Sequence, residues 1–220
     1  MDEAKGRLLP VYFVADDSGS MKPVVGELNL GLRSLLDVLA TDPMSAAKIR
    51  FTVLSFSGDV LTHLEMVDLR DVEAMPTFTA RNNTCYSAAF RDLRGRIDRD
   101  VDRLKSDGYQ VHRPAVFFLS DGEPDQDDPW SGSLAALKDL GWSRRPNIVA
   151  FGIGESRPAT INEVASRPEL GWIANSGAET GTVLMNFFEL FTHSLMNSAK
   201  NPGELTIDKP QGFTMAVDLI

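Results

Sequence analysis

Hydrophobic residues are distributed along this chain in two recurring patterns. In short stretches they run on almost continuously, as at 8–15, 49–56, 115–119, 147–152 and 171–174, each bounded by turn-forming residues. Runs of this length predict strands, and the unbroken Ala115, Val116, Phe117, Phe118 and Leu119 predicts a central parallel strand covered on both faces. In the longer stretches between them, apolar residues recur every third or fourth position. Leu28, Leu32, Leu35, Leu36 and Leu39 line one face of a helix over about 24–39, closed by Asp42 and Pro43. Ala88, Ala89, Leu93, Ile97, Val101 and Leu104 do the same over 84–106, which Asp107 and Gly108 end. Shorter helices are expected over 131–140 and 158–165, and a last one over 182–196 carries Val183, Leu184, Phe187, Phe188, Phe191 and Leu195.

Residues 60–69 alternate apolar and polar after the turn Ser57, Gly58, Asp59. So short a gap allows only a hairpin, which makes this strand antiparallel to 49–56 and puts it at a sheet edge. Elsewhere strands and helices alternate. The expected fold is α/β: Rossmann-like and doubly wound, with a mostly parallel six-stranded sheet, one antiparallel edge strand and helices on both faces. One domain is expected over 1–198. Residues 199–220 hold two Pro and two Gly without periodicity and read as a C-terminal extension.

Composition narrows the function. The chain of 220 residues is 43% hydrophobic and 24% charged, which suits an ordinary soluble domain able to bury a core. Its net charge of -9 argues against a surface that tracks phosphates, so nucleic acid is not an expected partner. No apolar run approaches the ~18 residues of a membrane span. A single cysteine, Cys85, rules out an intrachain disulfide and suits a reducing compartment, so a cytoplasmic location is expected. His63, His112 and His193 have no ligand spacing for zinc. Gly152, Ile153 and Gly154 lack the third glycine of a dinucleotide fingerprint and read as a turn.

The candidate chemistry lies in polar loops that follow the strands. Asp16, Asp17, Ser18, Gly19, Ser20 and Met21 join the first strand to the first helix, at the carboxyl end of a strand where doubly wound sheets bind ligands. Asp121 follows the buried strand 115–119, and Thr84 opens the helix before it. If these strands adjoin at the switch point, Asp16, Ser18, Ser20, Thr84 and Asp121 form an incomplete oxygen shell. Such hard ligands suit Mg²⁺ or Mn²⁺, with water and one outside ligand completing an octahedron. Two bland readings stand beside this one. Asp17, Ser18 and Ser20 are also good helix N-caps, and Asp125, Asp127 and Asp128 read as a solvated acidic loop.

With those residues in view, the chain resembles the von Willebrand factor type A domain with its metal-ion-dependent adhesion site. That site has an Asp-x-Ser-x-Ser loop, a Thr from a second loop and an Asp from a third, here matched by Asp16, Ser18, Ser20, Thr84 and Asp121. The resemblance spans about 8–198. One departure is Asn82-Asn83 before Thr84, where many members have Gly-Gly. It implies a non-enzymatic module that binds a protein partner by letting a partner carboxylate complete the metal's shell. The wording of the 16–21 loop is most similar to bacterial TerY-type tellurite-resistance members. That subgroup implies a cytoplasmic stress-response adaptor near kinase and phosphatase partners. A competing class is a Mg²⁺-dependent phosphohydrolase of haloacid dehalogenase type. Such an enzyme needs a second Asp two residues after the first, where this chain has Ser18.

Overall fold

A computed structural model describes residues 5–200 and 210–216. The chain forms β1 (Arg7–Asp16), α1 (Val25–Ala40), α2 (Pro43–Ala46), β2 (Ile49–Phe56), β3 (Val60–Val67), α3 (Tyr86–Ser106), β4 (Gln110–Val111) and β5 (Ala115–Ser120). It continues with α4 (Trp130–Lys138), β6 (Asn147–Gly152), α5 (Pro158–Val164), β7 (Gly171–Ala174), α6 (Thr180–Lys200) and β8 (Phe213–Met215). The strands make one sheet in the order β3-β2-β1-β5-β6-β7-β8, with β4 beside the start of β1.

The α/β, doubly wound, mostly parallel architecture is as expected, but the sheet has eight strands rather than six and both edges are antiparallel. The two extra strands are two and three residues long, too short for periodicity to reveal. β4 pairs with Arg7 and Leu8, while β5 takes over beside β1 from Val11. Pro10, which has no N–H to donate, sits at that handover, where a central strand tolerates it. β8 pairs with β7 and so brings part of the C-terminal extension into the sheet. Residues 201–209 and 217–220 of that extension lie outside the described residues.

Alternation along the strands assigns the two faces. Phe13 and Phe117 meet Phe191 of α6, with Phe187 and Phe188 also against Phe13. Their neighbours point the other way. The Tyr12 hydroxyl donates to Asp100 of α3 at 2.9 Å, and Phe118 packs on Tyr86 and Phe90 of α3. Helices therefore cover both faces of a sheet whose central strands are buried throughout. α1 and α6 lie so close that a Cβ on Gly31 would stand 1.9 Å from the Phe188 ring.

The strand order reverses between β1 and β5. Their register runs from Val11 opposite Ala115 to Ala15 opposite Leu119. Asp16 and Ser120 thus close adjacent strands at the same height, and Asp121 follows. This is the switch point at which a crevice forms above the sheet.

Candidate metal centre at the switch point

Asp16 is fully buried, and each of its carboxylate oxygens accepts a hydrogen bond: Oδ1 from the Ser18 backbone N–H at 2.8 Å, Oδ2 from Ser120 Oγ at 2.7 Å. Ser18 Oγ and Ser20 Oγ lie 3.0 Å apart, and Ser20 Oγ donates to Asp121 Oδ1 at 2.7 Å. Ser18 Oγ, Ser20 Oγ and Asp121 Oδ1 therefore form one string of oxygens across the switch point, with Asp16 tied to it through the Ser18 backbone N–H and to β5 through Ser120 Oγ. Ser18 makes no side-chain cap, and α1 begins after Val24, so N-capping does not account for the serines of this loop.

Thr84 is placed differently. It does not open the helix; α3 starts at Tyr86, and Cys85 ahead of it is extended. The Thr84 hydroxyl takes no part in the bonds that join the other four residues. Its backbone instead faces the third loop, donating to Asp125 Oδ2 at 3.3 Å and accepting from the Asp125 N–H at 2.9 Å. Asp128 accepts from the Ser87 N–H at 3.0 Å. The acidic segment after Asp121 is thus partly used to satisfy the free N–H groups at the start of α3, and Asp125 and Asp128 are more than a solvated rim.

The first and second loops are also tied together, through a residue that spacing alone does not single out. Arg81 clamps the Asp17 carboxylate with two parallel bonds of 2.9 and 2.8 Å, and its own N–H donates to the Asp17 carbonyl at 2.5 Å. It also pairs with the exposed Asp59. Asp17 is 1% exposed, so its charge is compensated within the protein. The Gly19 N–H donates to the Asn82 carbonyl at 3.4 Å, and a Cβ on Gly19 would lie 3.3 Å from the Arg81 carbonyl oxygen. Gly19 therefore serves close packing between the two loops.

A fourth loop holds Asp121 from behind. Gly154, at φ +58°, places its backbone where a Cβ would come within 2.9 Å of the Asp121 carbonyl oxygen. The Glu155 N–H donates to that carbonyl at 2.9 Å, and Ser156 Oγ donates to the Ser120 carbonyl at 3.0 Å. The turn read at Gly152–Gly154 is thus a buttress for the site. Glu123 is fixed by the Thr160 hydroxyl at 2.6 Å and the Arg157 N–H at 2.8 Å.

At the ends of β1 and β5, Asp16 and Asp121 have no cationic partner among the described residues. Burial lifts the Asp16 carboxyl to about 6, although the bonds from Ser18 and Ser120 pull the other way, and the neighbouring Asp121 charge adds to the rise. Asp121 is also raised, first by burial and then by Glu155. Among the described residues no group of three or more His, Cys, Asp or Glu is arranged around an ion. A cation here would rest on two carboxylates and on hydroxyls, a donor set that fits a hard divalent ion.

No family model matches the chain, and no curated protein matches it in sequence. Solved structures do. The pilus adhesin SpaC from Lactobacillus rhamnosus GG, in its open conformation, superimposes with a TM-score of 0.67 over 87% of this chain and 30% of its own, at 11% identity. Proximal thread matrix protein 1 from the mussel byssus gives a TM-score of 0.54 over 89% of this chain and 46% of its own, at 15% identity. The fold is von Willebrand factor type A-like. A second structure of the byssus protein, described as having a zinc-occupied MIDAS motif, gives 0.58 over 84% of this chain and 46% of its own at the same 15% identity. This chain spans less than half the length of each of these proteins. Among the described residues, no helix of this type A-like domain is long and apolar enough to cross a membrane.

Proposed function

We propose that the domain binds Mg²⁺ or Mn²⁺ through Asp16, Ser18, Ser20, Thr84 and Asp121, and uses the ion to hold an acidic side chain of a protein partner without catalysing a reaction. The observation that carries this reading is the division of labour among three neighbouring carboxylates. Arg81 neutralises Asp17, while Asp16 and Asp121 stay buried, each accepting from a serine hydroxyl and, among the described residues, unmatched by positive charge. A 2+ ion balances those two charges and offsets the burial cost of both. Only two ligands being charged, the ion keeps affinity for a further carboxylate. Support from the comparisons is limited to the shared fold and to the zinc named in the byssus protein's site.

Ser18 stands where a phosphohydrolase of the competing class needs a carboxylic acid, and a serine hydroxyl does not protonate a leaving group near neutral pH. The finer reading is a cytoplasmic bacterial adaptor in a stress or tellurite-resistance system, beside kinase and phosphatase partners. It rests on the wording of residues 16–21 and on the small single-domain layout, and its cytoplasmic part also on the single cysteine.

Thermal melts in Mg²⁺, Mn²⁺ and EDTA test the site. The ion binds only the folded state, so it raises the melting temperature of the parent and leaves that of Asp16→Ala unchanged. An equal response of parent and variant overturns the assignment. A partner retained in Mg²⁺ and released by EDTA tests the adhesive half of the proposal.

A further inference from the structure

At the opposite end of the sheet, beneath the amino ends of β1 and β2, lies a cavity of about 500 Å³. β1 separates it from the metal centre, and ten residues at ~3.3 Å each put the two roughly 30 Å apart. Lys5, Arg7, Lys48, Arg50 and Arg70 line it, with no Asp or Glu among the described lining residues. In a chain of net charge -9 this is a local reversal of sign. Arg50 and Arg70 share the single carboxylate of Asp68, at 3.1 and 2.7 Å. Among the described residues Lys5, Arg7 and Lys48 have no carboxylate partner; Arg7 Nε donates to Gln110 and Lys48 Nζ to the Ala199 carbonyl at the end of α6. Tyr109 stands between Lys5 and Arg50, each within 6 Å of its ring, and helps keep these cations at the mouth.

The remaining wall is apolar, with Leu8 and Leu9 buried and Met44 exposed at the rim.

We propose that this cavity is a binding site for a small organic phosphate monoester. A dianionic phosphate presents three acceptor oxygens, enough to engage several guanidinium and ammonium donors at once. The apolar wall takes the organic body. A cavity of about 500 Å³ is the size of a small-molecule site.

Isothermal titration of the full chain with AMP as probe tests the proposal, with inorganic phosphate and a hexaglutamate peptide as the other arms. AMP is expected to bind saturably, one molecule per chain. Arg7→Ala and Lys48→Ala, both at exposed positions, should each weaken it roughly tenfold, as loss of a charge-assisted bond does. Far-UV circular dichroism should show that each variant is folded. Phosphate should bind less tightly than AMP, since it leaves the apolar wall uncovered. Absence of saturable AMP binding at millimolar concentration overturns the proposal. So does affinity unchanged in folded variants, or phosphate binding as tightly as AMP. A peptide that binds more tightly than AMP and is lost in the same variants also overturns it, and assigns the face to an acidic protein.

Discussion

At the carboxyl end of the sheet, Asp16, Asp17, Ser18 and Ser120 are buried; Asp16 accepts from Ser18 and Ser120, and Asp17 from Arg81, which ties three loops together. At the amino end, Lys5, Arg7 and Lys48 stand exposed around an open cavity. Both ends gather charge of one sign, but they manage it in opposite ways. The acidic end carries its charge inside, where low dielectric makes every unpaired carboxylate costly and each hydroxyl bond valuable. The basic end leaves four of its five cations in water, where holding them near each other costs little, and pairs the less exposed Arg50 with Asp68. Stability should therefore depend steeply on the acidic end and weakly on the basic one.

The largest expected effect is from Arg81→Ala, which leaves the Asp17 charge buried and unpaired. Urea denaturation should show a loss of about 3 kcal/mol, the cost of breaking a buried ion pair by removing one partner. A loss under about 1 kcal/mol would mean that Asp17 is effectively solvated, and the contrast between the two ends would fail.

Next comes a pH dependence. The Asp16 carboxyl is raised from 3.8 to about 6 in the folded protein, so the folded state holds its proton more tightly than the unfolded chain. Metal-free stability should thus fall as pH rises from about 4 to about 6, by roughly 2–3 kcal/mol. Asp16→Asn removes the ionising group and should flatten that part of the profile, while also removing the response to Mg²⁺. The difference between parent and variant isolates Asp16 from other titrating groups. A parallel pair of profiles would show that Asp16 is ionised at no unusual cost.

The smallest effect is expected from Lys5→Ala at the basic end. Stability should change by no more than about 0.5 kcal/mol, as for surface positions generally. A larger loss would mean that the cations hold up the fold, and that their clustering needs no ligand to explain it.

How much of this was legible in the chain follows the same division. Residues 49–56, 147–152 and 171–174 form strands over the expected spans, because a buried strand needs only a local run of apolar residues between turns. Asp16, Ser18, Ser20 and Asp121 were visible for a related reason: each sits in a loop directly after a recognisable strand, and strand order carries them to one place. Arg81 was not visible. Its partner lies 64 positions away, and nothing in the surrounding Thr79, Ala80, Asn82 or Asn83 marks it. Thr84 was misplaced by two residues because Cys85 stays extended while the loop bonds to Ser57 and Asp125. Tertiary bonds outweighed a helical pattern that seemed continuous from Thr84.

By itself the sequence determined the layers: which stretches are strands, which faces of the helices are apolar, and that oxygen-bearing loops crown the sheet. Those properties depend on neighbours within a few residues. The tertiary structure alone decided which of three adjacent acids is neutralised, where β4 and β8 find a strand to join, and that cations from β1, β2, the turn after β3 and their surroundings enclose one cavity. Each of these depends on groups brought together from far along the chain, and charges act through space without regard to sequence order.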